Sequence, residues 1–341
     1  MKTVSELIAG GVLQIAVLPP NNPKHLDFPH YTIPVLEHDY PARTAAMWNA
    51  VYRECRLSLG NIMVIGDPKR AAEILAAFRQ DEKYRGGGAG VGFKDGSLPY
   101  LDEIEPKAKA IGAVNFFLKT AQGKLRGYNT DGLGFAQSLA ERYGRRNEQL
   151  AGKKIVVLGA GGAGKAVGFA LAERGARLVI INRTVEKAQT LAETISGFFR
   201  LQGESKARFG GESRIIAEVR DAEAVVNVTT KGSVGILEPY SALAAIDLPA
   251  TEENVRKNHR AASEALARLP KQAIVSDIVL VQQTTVMLEQ ARLAGFEILD
   301  GVPMVVNQGV EAFWLLHQEE LKEGGVTKTK VRDIMQHAAL A

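Results

Sequence analysis

Lys154–Thr184, KIVVLGAGGAGKAVGFALAERGARLVIINRT, decides the fold. Ile155 to Leu158 is a short, β-branched apolar run, and Leu178 to Asn182 is a second one. Between them Gly159, Gly161 and Gly164 fall at G-x-G-x-x-G spacing, followed by small apolar residues through Ala172. The order strand, glycine turn, helix, strand gives each glycine a mechanical task. The first permits a tight turn, the second admits a pyrophosphate to the backbone, and the third lets the helix pack on the strand. Gly159, Ala160, Gly161, Gly162, Ala163 and Gly164 are therefore the expected phosphate cradle, with the helix N-terminus turned to the anion. The end of the second strand selects the dinucleotide. An Asp or Glu there would hydrogen-bond a ribose 2′-hydroxyl and repel a 2′-phosphate. This chain has Asn182, Arg183, Thr184 and then Lys187. A guanidinium grips phosphate in bidentate fashion, so the expected cofactor is NADP(H). Thr184 also stands where the next helix needs an N-cap, ahead of apolar residues at helical spacing.

Working outward, 341 residues are enough for two domains with substantial cores. The net charge of +4, from 42 basic against 38 acidic residues, is too balanced and too scattered to point to nucleic acid. One cysteine, Cys55, excludes an internal disulfide and a cysteine metal cluster. The N-terminus lacks a cationic segment followed by a long apolar run, and no stretch approaches ~18 apolar residues. The expectation is a cytoplasmic protein with no membrane or nucleic-acid partner and no metal.

The elements before the cofactor strand are read as strands at 32–36, 61–65 and 110–118, helices at 42–56 and 70–79, and a strand at 124–128 before a helix at 132–143. Alternating strands and helices favour a parallel α/β sheet. Residues 1–35 read as an extension or edge strand around 13–18, closed by the breaker cluster Pro19 to Pro23. The run Gly86 to Gly92, GGGAGVG, has five glycines and reads as a flexible loop leading to Phe93-Lys94. Beyond the second nucleotide strand, 197–212 reads as polar loop, 224–230 and 273–281 as strands, 285–294 as a helix, 297–299 as a short strand, and 308–323 as the last helix. Residues 233–272 form an insertion whose charged helix, 253–269, is a solvated face, a lid or a homodimer contact.

Polar residues in apolar settings carry the chemistry. Asn115 ends the run IGAVN, Asn129-Thr130-Asp131 lies between a strand and a helix, and Gln308 stands at the start of the final helix. Alone, Asp131 reads as a cap for a helix beginning at Gly132, and Lys94 as a surface lysine. In order, IGAVN, GKLRGYNTDGLGF, GAGGAG, NRT, VVNVTT and GVPMVVNQGVEAF resemble the shikimate dehydrogenase family, with its quinate-using members, over residues 36–318. The resemblance implies an α/β protein of two domains. Residues 1–132 with 305–341 would form an α/β substrate domain, to which a C-terminal helix returns, and 133–304 a Rossmann-type NADP domain. The active site would be the cleft between them. Lys94 and Asp131 would be the catalytic pair, and Thr44, Asn115 and Gln308 would hold substrate. Val228, Thr229, Gly301 and Met304 would join the cofactor residues, with Met304 near the nicotinamide. Oxidising a secondary alcohol sends a hydride to the nicotinamide and releases a proton, which a lysine can accept and return.

The departures from the family pattern concern the substrate carboxylate. The family's Ser-x-Ser pair falls on Ala42 and Thr44, its Asn-x-Thr-x-Pro segment on Gly88 to Gly92, and a tyrosine on Leu280. A buried carboxylate without donors is costly. The reading is therefore an NADP-dependent dehydrogenase of a related cyclic polyol or its ketone, uncharged or differently substituted. Two alternatives stand beside it: an orthodox shikimate or quinate dehydrogenase, and a non-catalytic NADP-binding sensor. Retention of both Lys94 and Asp131 argues against the sensor, while the glycine run before Lys94 argues for it, because a loose loop would not hold the lysine.

Overall fold

In the computed structural model, which describes residues 2–281 and 283–340, the chain packs as two units. Met1–Thr130 and Val306–Ala341 form one, and Asp131–Val305 the other.

The first unit begins with α1 (Val4–Ala9), closed by a reciprocal Thr3/Glu6 capping box, and β1 (Leu13–Ile15). Then come β2 (His30–Thr32), β3 (Val35–Leu36), α2 (Thr44–Glu54), β4 (Leu59–Asn61), β5 (Val64–Gly66) and α3 (Ala71–Gln80). It continues with β6 (Tyr84–Gly88), β7 (Glu103–Ile104), α4 (Pro106–Ile111), β8 (Phe116–Lys119) and β9 (Leu125–Tyr128). The main sheet has the order β4-β2-β6-β8-β9-β7, and a small one the order β1-β5-β3. Their shared core includes Tyr31, Ile33, Val64, Phe78, Phe93 and Phe117.

Four expectations need correction in this unit. The sheet is mixed rather than parallel: β8 runs antiparallel to both β6 and β9, because the turn closed by Gly123 N–H on the Thr120 carbonyl makes β8 and β9 a hairpin. The expected strands 32–36 and 61–65 are each two strands, split between the two sheets, with Pro34 at the first break, where its ring removes a ladder donor. The expected strand 110–118 is mostly not a strand. Glu105 caps α4 through the Ala108 N–H at 2.8 Å, Pro106 starts it, and Gly112 at φ 75° ends it. Proline at the start and glycine just past the end outweigh the short apolar run between them. Asn115 thus precedes β8 instead of ending a strand.

The fourth correction concerns the glycine run, which is built into the sheet. Gly86, Gly87 and Gly88 are the end of β6, Ala89 bridges to Val35, and the Gly90 N–H donates to the Val35 carbonyl at 2.9 Å. A Cβ on Gly87 would sit 2.0 Å from the Ile33 carbonyl oxygen, and one on Gly86 2.5 Å from that of Phe117. The glycines permit close backbone approach, the task glycine serves in a strand interior.

The second unit opens with α5 (Asp131–Gly144) and runs through β10 (Lys154–Leu158), α6 (Gly162–Glu173), β11 (Arg177–Ile181), α7 (Val185–Phe198), β12 (Arg208–Gly210) and α8 (Ile215–Glu218). It continues with β13 (Ala224–Asn227), α9 (Glu252–Arg268), β14 (Ile274–Asp277), α10 (Val286–Leu293) and β15 (Glu297–Leu299). All six strands are parallel in the order β12-β11-β10-β13-β14-β15. This is the doubly wound dinucleotide-binding order, with its switch point between β10 and β13. Lys154 to Leu158 are all buried, as a strand covered on both faces requires. The expected loop 197–212 holds β12, an edge strand of three residues whose Arg208 and Phe209 are exposed, so it carries no apolar pattern. β13 and β14 stop at Asn227 and Asp277, short of the expected ends.

α11 (Val302–Glu323) carries the chain back to the first unit, and α12 (Lys328–Leu340) follows. α11 starts six residues before Gln308, which lies inside it and not at its start, because the Asp300 carboxylate takes the Val302 N–H at 3.0 Å and begins the helix there. α12 was not expected. It buries Val331, Ile334 and Met335, a helical spacing hidden behind a polar start and the Gly324-Gly325 break.

Candidate active site

The glycine turn of the second unit has the geometry its spacing predicts. Gly159 adopts φ 122°, and a Cβ there would crowd Val228 and Thr229. A Cβ on Gly164 would lie 2.3 Å from the Gly159 carbonyl oxygen, so only glycine lets α6 sit this close to its strand. Around Gly161 and Gly162 a Cβ would meet nothing within 4 Å, which leaves the backbone open to a phosphate. Gly161 is the N-cap of α6 and supplies no side-chain bond to the first-turn N–H groups. Those donors suit an anion.

Asn182 holds the turn in place. Its Oδ1 accepts from the Ala160 N–H at 3.1 Å, and its Nδ2 donates to the Thr184 carbonyl at 2.9 Å. It therefore ties the glycine turn to the backbone on either side of Arg183. Thr184 occupies the N-cap of α7, but its hydroxyl accepts no capping bond. Gly159, Gly161, Asn182, Arg183, Thr184, Lys187 and Thr229 all line one cleft of about 360 Å³. Its cations and glycines match a dinucleotide carrying an extra phosphate.

Thr229 is set by a buried relay. Asn227 Oδ1 accepts from the Thr229 N–H at 2.9 Å and from its hydroxyl at 2.6 Å. Asn227 Nδ2 donates to Asp277 Oδ1 at 3.0 Å, and Thr285 donates to Asp277 Oδ2 at 2.8 Å. Burial pushes the Asp277 carboxyl up to about 6, against the opposing pull of bonds from Val279, Thr285 and Asn227. Val228 is buried behind the turn; Gly301 is buried as well, and a Cβ on it would lie 2.7 Å from the Ile278 carbonyl oxygen. Met304 is half-buried in the first turn of α11, and Leu280 is exposed.

The cleft also contains residues that sequence reasoning missed. Glu212 and Lys231 line it, as do Ile236, Leu237, Ile246 and Leu248 of the insertion. α9 buries Ala262, Ala265 and Leu266 in this unit's core, so that part of the insertion is fixed. The available signal was position: Lys231 follows directly on VVNVTT, at the carboxyl end of a central strand, where ligands of such sheets bind.

In the first unit, Asn115, Thr130 and Gln308 come together. Asn115 Oδ1 accepts from the Thr130 N–H at 2.8 Å, and Asn115 Nδ2 donates to Thr130 Oγ1 at 3.0 Å and to Gln308 Oε1 at 3.2 Å. The Thr130 hydroxyl also donates to the Gln308 carbonyl at 3.1 Å. Two amides and a hydroxyl thus hold a fixed arrangement with donor and acceptor capacity for alcohols. Lys94 is half-buried, and its carbonyl accepts from the Val114 N–H at 2.7 Å, one residue before Asn115. Asp131, next to Thr130, is the first residue of α5, so the helix starts one residue earlier than the expected Gly132. Lys94 and Asp131 belong to different units.

Thr44 opens α2, whose N-cap Arg43 makes no side-chain capping bond. Ala42 packs against the apolar cluster of Ala16, Leu36, Ala45 and Met63. Where the family pattern has two hydroxyls, one position is a methyl in an apolar setting. Among the described residues no group of three metal-ligating side chains occurs, and no helix is long and apolar enough to cross a membrane.

Comparison with known proteins agrees with this architecture. The model described as "Shikimate dehydrogenase substrate binding domain" matches residues 41–117, and "Shikimate / quinate 5-dehydrogenase" matches residues 139–205. The shikimate dehydrogenase (NADP(+)) of Aquifex aeolicus is 33% identical over 286 residues, covering 84% of this chain and 90% of that one. That of Methanosarcina acetivorans is 37% identical over 211 residues, covering 62% of this chain and 65% of that one. Among solved structures, the ligand-free 5-ketofructose reductase of a Gluconobacter strain aligns with a TM-score of 0.67 at 26% identity, covering 90% of this chain and 98% of that one.

Proposed function

The chain belongs to the shikimate dehydrogenase family, and from that premise we propose that it interconverts a secondary alcohol and a ketone on a cyclic polyol that lacks the shikimate carboxylate, using NADP(H). NADP(H), when bound, takes or supplies the hydride. The residues that would hold it are Gly159 to Gly164, Arg183, Thr184, Lys187, Val228 and Thr229, with Gly301 and Met304 toward the nicotinamide. Asn182 orients the turn they share.

On this reading Lys94 accepts the alcohol proton at Nζ and returns it in the reverse direction, with Asp131 as the second member of the catalytic pair. Asn115 and Gln308 bind substrate hydroxyls and fix which carbon faces the cofactor. Proton transfer needs a lysine held in place, and the anchored Gly86–Gly90 backbone supports an enzyme over a sensor.

The observation that carries the substrate assignment is the apolar setting of Ala42. It leaves Thr44 as the one hydroxyl of the pair and argues against a carboxylate at that position. The likeness to a reductase named for a ketofructose, a sugar without a carboxylate, supports the same direction. Lys94→Ala tests the enzyme reading. Turnover by the wild type that disappears in the variant, with NADPH affinity unchanged, is the expected result. Full activity in Lys94→Ala would contradict it.

A further inference from the structure

The cleft of the second unit contains a buried ion pair that the cofactor reading does not use. Lys231 Nζ lies 2.6 Å from Glu212 Oε1 and donates to the Ala244 carbonyl, also at 2.6 Å. The Lys231 side chain is 8% exposed and that of Glu212 14%. Both residues line the same cleft as Arg183, Thr184 and Lys187. Burial lowers the Lys231 pKa, and repulsion from Arg183 adds to the effect, while Glu212 opposes it.

Glu212 is an odd residue for this cleft. A carboxylate beside a 2′-phosphate opposes the charge that Arg183 and Lys187 are there to attract. We propose that Lys231 is a cofactor-specificity residue: by neutralising Glu212 within the nucleotide cleft, it keeps the site receptive to the 2′-phosphate of NADP(H) and so sets the preference over NAD(H). Lys231 acts here through Glu212. With the pair intact, Arg183, Lys187, Lys231 and Glu212 leave a net positive field. Without Lys231 a shielded carboxylate stands uncompensated in a site of low polarisability, where charges act strongly. NAD(H) has no phosphate at that position and is indifferent to the change.

The proposal rests on the NADP reading, and its test separates the two. The measured quantity is the ratio of dissociation constants for NADH and NADPH, from fluorescence titration of the full chain, with circular dichroism as a check on folding. Lys231→Met lowers the preference for NADPH about tenfold or more, equivalent to ~1.4 kcal/mol. The double variant Lys231→Met/Glu212→Gln loses the same bond to Ala244 yet carries no stray carboxylate, and recovers most of the preference. Glu212→Gln alone keeps an acceptor for Lys231 and raises the preference about threefold, so the test stands even if Lys231→Met fails to fold. Equal weakening for both cofactors, with no recovery in the double variant, would assign Lys231 a purely structural role and overturn the proposal. So would a ratio that no variant moves. A wild type without preference for NADPH would overturn the NADP reading and the proposal together.

Discussion

The carbonyl of Lys94 accepts a 2.7 Å hydrogen bond from the Val114 N–H, and the next residue, Asn115, bonds to both Thr130 and Gln308. Upstream, the Ala89 N–H donates to the Asn115 carbonyl at 2.8 Å. The segment carrying Lys94 is therefore fastened at both ends to Val114-Asn115, of which Asn115 is expected to bind substrate.

This fastening depends on glycine at position 87, where a Cβ would lie 2.0 Å from a backbone oxygen that no rotamer change can move. Gly87→Ala should cost about 1–3 kcal/mol of unfolding free energy, the usual range for overpacking. Urea denaturation measures it. A variant as stable as the wild type would contradict the close approach.

Asn115 and Gln308 should separate under mutation. Asn115→Ala leaves the Thr130 N–H, in a residue with no exposed surface, without its acceptor, at a cost of about 1–3 kcal/mol in stability. Gln308→Ala should instead raise substrate KM about tenfold through one lost hydrogen bond, with NADPH affinity unchanged. Steady-state kinetics and thermal melting together distinguish the two effects. A Gln308→Ala enzyme with unaltered KM would remove Gln308 from the substrate site.

Asp277 gives a pH dependence of defined sign. Its carboxyl rises from 3.8 to about 6 on folding, chiefly through burial. Between these values the unfolded chain has released the proton while the folded chain still holds it. Raising the pH through this window therefore favours unfolding, and the loss levels off above about 6. The contribution is about 3 kcal/mol at most. The difference in stability between wild type and Asp277→Asn should change across pH 4 to 6.5 and be flat above. A difference independent of pH would exclude this titration.

The nucleotide unit was legible in the sequence because its signals are local. The glycine spacing, the buried strands and Asn182-Arg183-Thr184 each act within a few residues. β12 was hidden because an edge strand of three residues buries almost no pattern. The first unit was harder to read. Its glycine run suggested looseness, whereas the structure uses those glycines for contact with Ile33 and Phe117, which sequence spacing does not reveal. Asn115 and Gln308 were singled out, but their contact spans 193 positions and became visible only through the fold. Lys231 and Glu212, 19 positions apart, escaped notice because a buried pair has no periodic signature.

The central claim is that this family member acts with NADP(H) on a polyol or ketone without the shikimate carboxylate. The most direct measurement is kcat/KM for NADP⁺ reduction with shikimate, quinate and a panel of carboxylate-free cyclic polyols, together with NADPH oxidation by the matching ketones. The account predicts that a carboxylate-free substrate exceeds shikimate at least about tenfold and reaches the ordinary enzymatic range of ~10⁴ M⁻¹s⁻¹ or above. Shikimate turnover in that range, with every carboxylate-free compound slower, would contradict it.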